Sequence, residues 1–332
     1  MKIALDAFGS DTCPEPEIEG AIEAVTTNPG LEILLVGKVD ILSDKLSKLN
    51  SKGLPITLVD APDIVEMTDK PSEAAMKKPL NSMAVGLNLV KSREASAFVT
   101  AGNTGAAFFN AVKILRPMNG IMRPALTTTL PTRKERVVFL DTGANVDCRP
   151  EFLLEFGIMG SAYAQAVLGR ENPRVALLAN GEEEGKGTQV VKEAYHLLAQ
   201  SGWNFIGNIE PKEVYAGLAD VVVADGFAGN VFIKTSEAVG KMITDLLKEE
   251  MLKNFTRKLG AMLIKPGFGR LKKMMDPSET GAALLMGMNG LVFIGHGRSN
   301  AHAIASAVKL AKTVAERGLI DTIQSDILSK LN

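Results

Sequence analysis

Short runs of apolar residues recur along the chain, separated by stretches in which apolar residues return every three or four positions. The runs are IALDAF (3–8), EILLVG (32–37), ITLVDA (56–61), SAFVTAG (96–102), RVVFLDTG (136–143), RVALLANG (174–181), NFIGNI (204–209), DVVVADG (220–226) and LVFIGHG (291–297). Most are apolar nearly throughout, the pattern of parallel strands covered on both faces. The segments between them, such as 104–115, 151–168 and 188–200, have helical spacing. This alternation predicts an α/β fold with a mostly parallel, doubly wound sheet. It breaks at 245–280, where a long helical region takes over. No internal repeat or low-complexity stretch is found, and a length of 332 residues fits one large α/β unit over 1–332, with two subdomains as the alternative.

Six loops end or follow the apolar runs with Gly, Asp or Asn: DAFGSD, TAGNTG, LDTGAN, LANGEEEG, VADGFAGN and GHGRSN. Ligands of open parallel sheets bind at the carboxyl ends of strands, so a site built from several of these loops is expected at the sheet's rim. In AGNTGA the glycines Gly102 and Gly105, either side of Asn103, let a ligand oxygen approach the main chain. The helix that follows offers free N–H groups and its positive end, and Thr104 stands where an N-cap hydroxyl belongs. No GxGxxG opens the first strand–helix unit and no GxxxxGK[ST] occurs. A nucleotide is therefore not indicated, and a smaller anion such as free phosphate stays open.

Other polar positions join this set. Ser82, after Lys77, Lys78 and Asn81, is placed to cap a helix, and either faces an anion there or serves as a cap only. Asp141 and Asn145 lie at a strand end. In NGEEEGKG (180–187), Lys186 is either held by its glutamate neighbours or part of a solvated turn. Asn230 and Lys234 are spaced to share one face at a helix start. His296 is the only histidine at a strand end, and Cys148 has no histidine near it in sequence. No His/Cys/Asp set has metal-ligand spacing and no GxSxG elbow appears.

Composition narrows the class. The chain is 46% hydrophobic and 23% charged, with a formal net charge of −1, which carries no nucleic-acid signature. Cys13 and Cys148, the only cysteines, fit reduced thiols better than a disulfide framework. MKIALDAFGSD does not resemble a signal peptide. No segment reaches the roughly 18 apolar residues of a spanning helix, so a cytoplasmic protein, or one lying on a membrane without crossing it, is expected. The segment 251–275 concentrates Lys253, Arg257, Lys258, Lys265, Arg270, Lys272 and Lys273 without one Asp or Glu. Leu252, Phe255, Leu259, Met262 and Leu263 share one helical face, and Pro266 and Gly267 are expected to turn the chain before Phe268, Leu271, Met274 and Met275. Such a basic amphipathic hairpin suits an anionic membrane interface, a dimer's helical bundle, or an acidic protein partner.

DAFGSD, KPLNSM, SAFVTAGNTGA, GIMRPAL, LPT, LDTGANVDCRPE, GEEEGKG, DVVVADGFAGNVFIKTSE and GHGRSNAHAI occur in that order. Together they resemble the bacterial phosphate acyltransferases of phospholipid synthesis, the acyl-ACP:phosphate transacylases, from Met1 to about residue 317. The family pattern differs in places. It usually reads DAMGGD at the first loop, Asp-Ser in place of Leu80 and Asn81, and a more apolar residue before the glycine of LANGEEEG.

The resemblance implies an isocitrate/isopropylmalate dehydrogenase-like fold with a projecting helical hairpin at 245–280, usually as a homodimer at the inner face of the membrane. It implies transfer of a long-chain acyl group from acyl carrier protein to inorganic phosphate, with no cofactor and no metal. The acyl phosphate then serves a downstream glycerol-3-phosphate acyltransferase. Ser82, Asn103, Thr104 and Gly105 are the expected phosphate cradle, and Lys186, Asn230 and His296 the expected catalytic groups. Lys234 and Arg298 are expected at the acyl and carrier-protein mouth, and Phe255, Leu259, Met262, Leu263 and Phe268 at the membrane. The alternatives are a phosphotransacetylase-like enzyme using an acyl-CoA, a dehydrogenase on the same fold, and a non-catalytic membrane scaffold for lipid-synthesis enzymes.

Overall fold

The computed structural model describes residues 1–49 and 51–330, without the side chains of Lys265, Pro266, Phe268, Arg270, Leu271, Lys272, Ser329 and Lys330. Its strands are β1 (Lys2–Asp6), β2 (Glu32–Gly37), β3 (Ile56–Asp60), β4 (Ala97–Thr100), β5 (Ala125–Pro131), β6 (Arg136–Leu140), β7 (Val175–Leu178), β8 (Phe205–Ile209), β9 (Val221–Val223), β10 (Ala282–Met286) and β11 (Leu291–Gly295). They form one sheet in the order β3-β2-β1-β4-β11-β10-β5-β6-β9-β7-β8. All nine apolar runs of the sequence become strands. The two strands not anticipated, β5 and β10, are neighbours at the centre of the sheet.

These two strands change the geometry. β10 pairs antiparallel with β11 and with β5, and β5 pairs antiparallel with β6. The other pairings are parallel. Three successive reversals leave β1 to β4 and β11 running one way, and β6 to β9 the other. The six polar loops therefore do not share a rim. DAFGSD, TAGNTG and GHGRSN leave one edge of the sheet, and LDTGAN, LANGEEEG and VADGFAGN leave the opposite edge.

The helices are α1 (Glu15–Thr27), α2 (Val39–Ser47), α3 (Pro71–Lys77), α4 (Ser82–Lys91), α5 (Thr104–Ile114), α6 (Pro150–Ala166), α7 (Gln189–Gln200), α8 (Pro211–Ala216), α9 (Gly226–Leu252), α10 (Phe255–Met275), α11 (Ala301–Glu316) and α12 (Leu319–Lys330). On one face of the sheet the core is continuous. Leu5, Val99, Phe293, Met286, Leu140, Val223 and Leu177 of the strands meet Ile18, Phe156, Ala194, Val308 and Ile323 of the helices. On the other face it divides in two. Phe98, Val292 and Leu285 pack with Leu87, Ala107 and Ala111 of α4 and α5. Phe139, Val222 and Ala176 pack with Val214 of α8 and with Phe232 and Ile233 of α9, where Phe139 and Phe232 stack at 5.1 Å. A cleft opens between these two half-cores, above β5 and β10.

α9 extends beyond the sheet and α10 returns along it, so that the Met275 methyl lies beside Gly240. The reversal is at Lys253 and Asn254, and α10 runs unbroken past 266–267, where the sequence reading had placed the turn. Asn254 explains the position: its Oδ1 accepts the Arg257 N–H at 3.0 Å and starts the new helix. Phe255 and Leu263 are 80% and 81% exposed, and Leu259, Met262 and Ile264 are exposed beside them. The Phe268 side chain is outside the described residues.

Candidate active site

The cleft has a volume of about 460 Å³. Alternate residues of β5, Leu126, Thr128 and Leu130, form its floor with Ala283 and Ile294. The inner face of α9 forms its roof through Asn230, Ile233, Lys234, Glu237 and Gly240, three or four residues apart. Thr104, Thr142, Gly143 and His296 line it, and Met274 and Met275 contribute where α10 rejoins the body.

The α5 end of the site is built by hydrogen bonds behind the loop. Asn103, not Thr104, is the N-cap: its Oδ1 accepts the Ala106 N–H at 3.0 Å, and its amide donates to the Met67 and Asp69 carbonyls at 3.0 and 3.2 Å. Thr104 is thus the first helical residue and stays exposed at the cleft. Gly105 sits where a Cβ would come within 2.7 Å of Pro71, so α5 can pack close to α3. At α4 the cap is Asn81, whose Oδ1 accepts the Ala84 N–H at 2.9 Å. Ser82 is buried and hydrogen-bonds inward to Asp6. Asp6 also accepts the Phe8 N–H at 3.0 Å and the Thr100 hydroxyl at 2.7 Å, and the Thr100 oxygen accepts the Gly102 N–H at 3.0 Å. Burial raises the Asp6 carboxyl above its ordinary range, and the bonds from Ser82, Phe8 and Thr100 act the other way. Ser82 and Asn103 therefore shape the loop from behind, and Thr104 faces the cleft.

The opposite wall depends on two glycines. Asp225 caps α9, its Oδ1 accepting the Ala228 N–H at 2.8 Å. A Cβ at Gly229 would overlap the Asp141 carbonyl oxygen, and one at Gly226 would stand 2.5 Å from the Asn145 carbonyl oxygen. With no side chain there, the helix start settles onto the 141–145 loop and brings Asn230 against Gly143. Asp141 organises that loop from the inside, accepting N–H groups of Leu126 at 2.9 Å, Ala144 at 3.1 Å and Asn145 at 2.6 Å. Burial raises its carboxyl, and those donors oppose the shift.

At the mouth, His296 Nε2 is 3.9 Å from Glu237, whose other oxygen is 3.3 Å from the Arg298 guanidinium. Desolvation pushes the His296 ring below its usual value; Glu237 opposes this, while Arg298 and Lys234 reinforce it. The shift favours the neutral imidazole near pH 7. Arg298 lies outside the lining, held by Glu237. Lys186 is not brought to the cleft. It is half-exposed between β7 and α7, 4.0 Å from Glu183. Glu237 was not read from the sequence, although its place seven residues after Asn230 puts it on the same helical face. Among the described residues no group of three or more His, Cys, Asp or Glu could hold a metal ion. The cleft thus offers a hydroxyl, an amide, an ammonium and a neutral imidazole over a largely apolar floor. These groups can bind an oxyanion and polarise a carbonyl.

An α/β sheet of two opposed parallel arms, cleft over its antiparallel centre, is a fold that phosphotransacetylases and some dehydrogenases share. A phosphotransacetylase from Streptococcus pyogenes superposes with a TM-score of 0.64 at 20% identity, over 97% of this chain and 94% of that one. The 4-hydroxythreonine-4-phosphate dehydrogenase from Klebsiella pneumoniae does so with 0.55 at 14%, over 95% and 98%, which extends the likeness to dehydrogenases. Residues 1–322 match the family described as "Fatty acid synthesis protein". The phosphate acyltransferase of Acidobacterium capsulatum is 42% identical over 325 residues, 98% of this chain and 96% of that protein. That of Syntrophotalea carbinolica is 43% identical over 321 residues, 97% and 92%. The chain belongs to this family of phosphate acyltransferases, enzymes that transfer acyl groups to phosphate in fatty acid and phospholipid synthesis.

Proposed function

We propose that the protein moves a long-chain fatty acyl group from acyl carrier protein to inorganic phosphate, and that a glycerol-3-phosphate acyltransferase consumes the acyl phosphate. The observation that carries the reading is the meeting of Thr104, Asn230, Lys234 and His296 around one cleft with an apolar floor. Phosphate is already a fair nucleophile at pH 7 and needs placement more than activation. The Thr104 hydroxyl and the first N–H groups of α5 hold it. One phosphate oxygen bonds to the thioester carbonyl carbon, and negative charge moves onto the carbonyl oxygen. The Asn230 amide and the Lys234 ammonium meet that charge. The tetrahedral adduct then expels the thiolate as the C–S bond breaks; Lys234 gives the thiolate the proton that makes the thiol, and the proton carried by the attacking phosphate recharges Lys234. Neutral His296 accepts a hydrogen bond that orients phosphate. Ser82, Asn103 and Gly105 set the loop's shape, and Lys186 takes no part.

The exposed apolar side of α9 and α10 supports two further parts of this reading. Phe255, Leu259, Met262 and Leu263 lie on an anionic membrane surface, and Val239, Met242, Ile243 and Leu246 of α9 face a second copy in a homodimer. No described helix is long and apolar enough to cross a membrane. Mixing the purified protein with long-chain acyl carrier protein and orthophosphate, and following acyl phosphate by mass spectrometry, tests the reaction. Product from acyl-CoA alone would replace the carrier with the coenzyme, and no product from either thioester would end the proposal.

A further inference from the structure

A second cavity of about 370 Å³ lies beside the cleft, where β6, β7 and β9 begin. Lys134, Arg136, Arg170 and Arg174 line it with only two carboxylates, Glu135 and Asp220. Glu135 pairs with Arg170. Asp220 takes the Arg174 guanidinium at 2.9 Å and stands 3.9 Å from Arg170 Nε. Arg170 Nε is buried without a hydrogen-bond partner. Arg136 has no carboxylate within ion-pair range among the described residues. Its Nε donates to the Thr129 hydroxyl, and its Nη2 to the Thr129 carbonyl and the Thr280 hydroxyl, each at 2.8 Å, and all three acceptors are neutral. Burial pulls the guanidinium below its usual range, with Tyr163 acting the other way.

A half-buried cation without a counter-charge is costly, and an anion in the cavity relieves that cost. Arginine's planar fork suits phosphate oxygens. Arg136 also lines the main cleft, so an anion bound here stands one guanidinium away from that cleft. We propose that this cavity binds the phosphate of the acyl donor's phosphopantetheine arm, with Arg136 joining it to the cleft. The inference rests on the donor being a phosphopantetheine thioester, a group that carrier protein and coenzyme A share. Orthophosphate, the co-substrate, is the other source of the same chemistry.

Kinetics with two truncated donors separate these cases. Long-chain acyl-4′-phosphopantetheine and acyl-pantetheine, which lacks the phosphate, are compared in the wild type, Arg136→Gln and Lys134→Glu at varied orthophosphate. The wild type is expected to favour the phosphorylated donor about tenfold in kcat/KM, and both variants to erase most of that preference by raising the donor's KM. The KM for orthophosphate stays constant. Lys134 is exposed, so its variant folds whether or not Arg136→Gln does. Equal losses on both donors, a wild type indifferent to the donor's phosphate, or a rise confined to the orthophosphate KM would each overturn the assignment. Acyl phosphate formed from either donor would keep the transfer reaction itself, so the two failures are distinguishable.

Discussion

Asn230 and Lys186 make the sharpest comparison at the scale of single residues. Asn230 touches Gly143 at the cleft wall, so Asn230→Ala is expected to lower kcat about a hundredfold with the urea midpoint unchanged, as when one oxyanion donor is removed. Lys186 stands outside the cleft, and its alanine variant is expected to turn over within about twofold of wild type. A larger loss in that variant would bring Lys186 back into the chemistry. Gly229→Ala is expected to destabilise by about 3 kcal/mol in urea unfolding, because a methyl group would meet backbone that cannot withdraw. At this scale Thr104, Asn230, Lys234 and His296 were legible as small or polar groups at helix starts and strand ends. The caps were misassigned. Asn81 and Asn103 precede Ser82 and Thr104 by one position, and only the fold shows that the Asn103 amide also ties down the 67–69 loop. Glu237 escaped notice because its partners, His296 and Arg298, are about sixty residues away in sequence.

Among the elements, α10 carries the clearest prediction. Replacing Leu259 and Leu263 with glutamate removes two exposed apolar groups and reverses local charge, and is expected to release the protein from anionic vesicles in sedimentation while leaving turnover on soluble donor intact. A variant that still pellets would assign the face to dimer contact alone. The helix and its basic, amphipathic character were legible, but the turn was not. Proline and glycine at 266–267 read as a break, yet the chain reverses at Asn254. β5 and β10 were missed for opposite reasons. ALTTTLP has the threonines of a loop, although β-branched residues suit a pleat. AALLM has the residues of a helix. Their neighbours on both sides hold them extended.

Across the whole molecule, buried carboxyls set the pH response. Burial, chiefly, raises Glu17 to about 7, with the Ser10 bonds opposing it, and raises Glu155 to about 7 against the bonds from Met122 and Arg123. Both ordinary values are near 4.5. The folded state therefore holds these protons where the unfolded chain has released them. Their contribution is fully present below pH 4.5 and is lost as pH rises through about 7, by roughly 3 kcal/mol for each group. Urea unfolding is expected to show a lower midpoint at pH 8 than at pH 5, and Glu17→Gln to make that difference measurably smaller. An unchanged slope in the variant would assign the dependence to other groups.

The sequence alone determined the class of fold, the nine parallel-type strands, the polar loops and the family, because each of these depends on local spacing or on motif blocks that stand unbroken in the chain. Tertiary structure alone decided how those loops meet. Three antiparallel pairings at the sheet's centre turn one arm against the other, so the loops fall on opposite edges and the site forms in the cleft between two half-cores. Strand direction is a property of pairing between distant segments. A continuous apolar run shows that a strand is covered on both faces, but not which arm of the sheet it joins or which way that arm points.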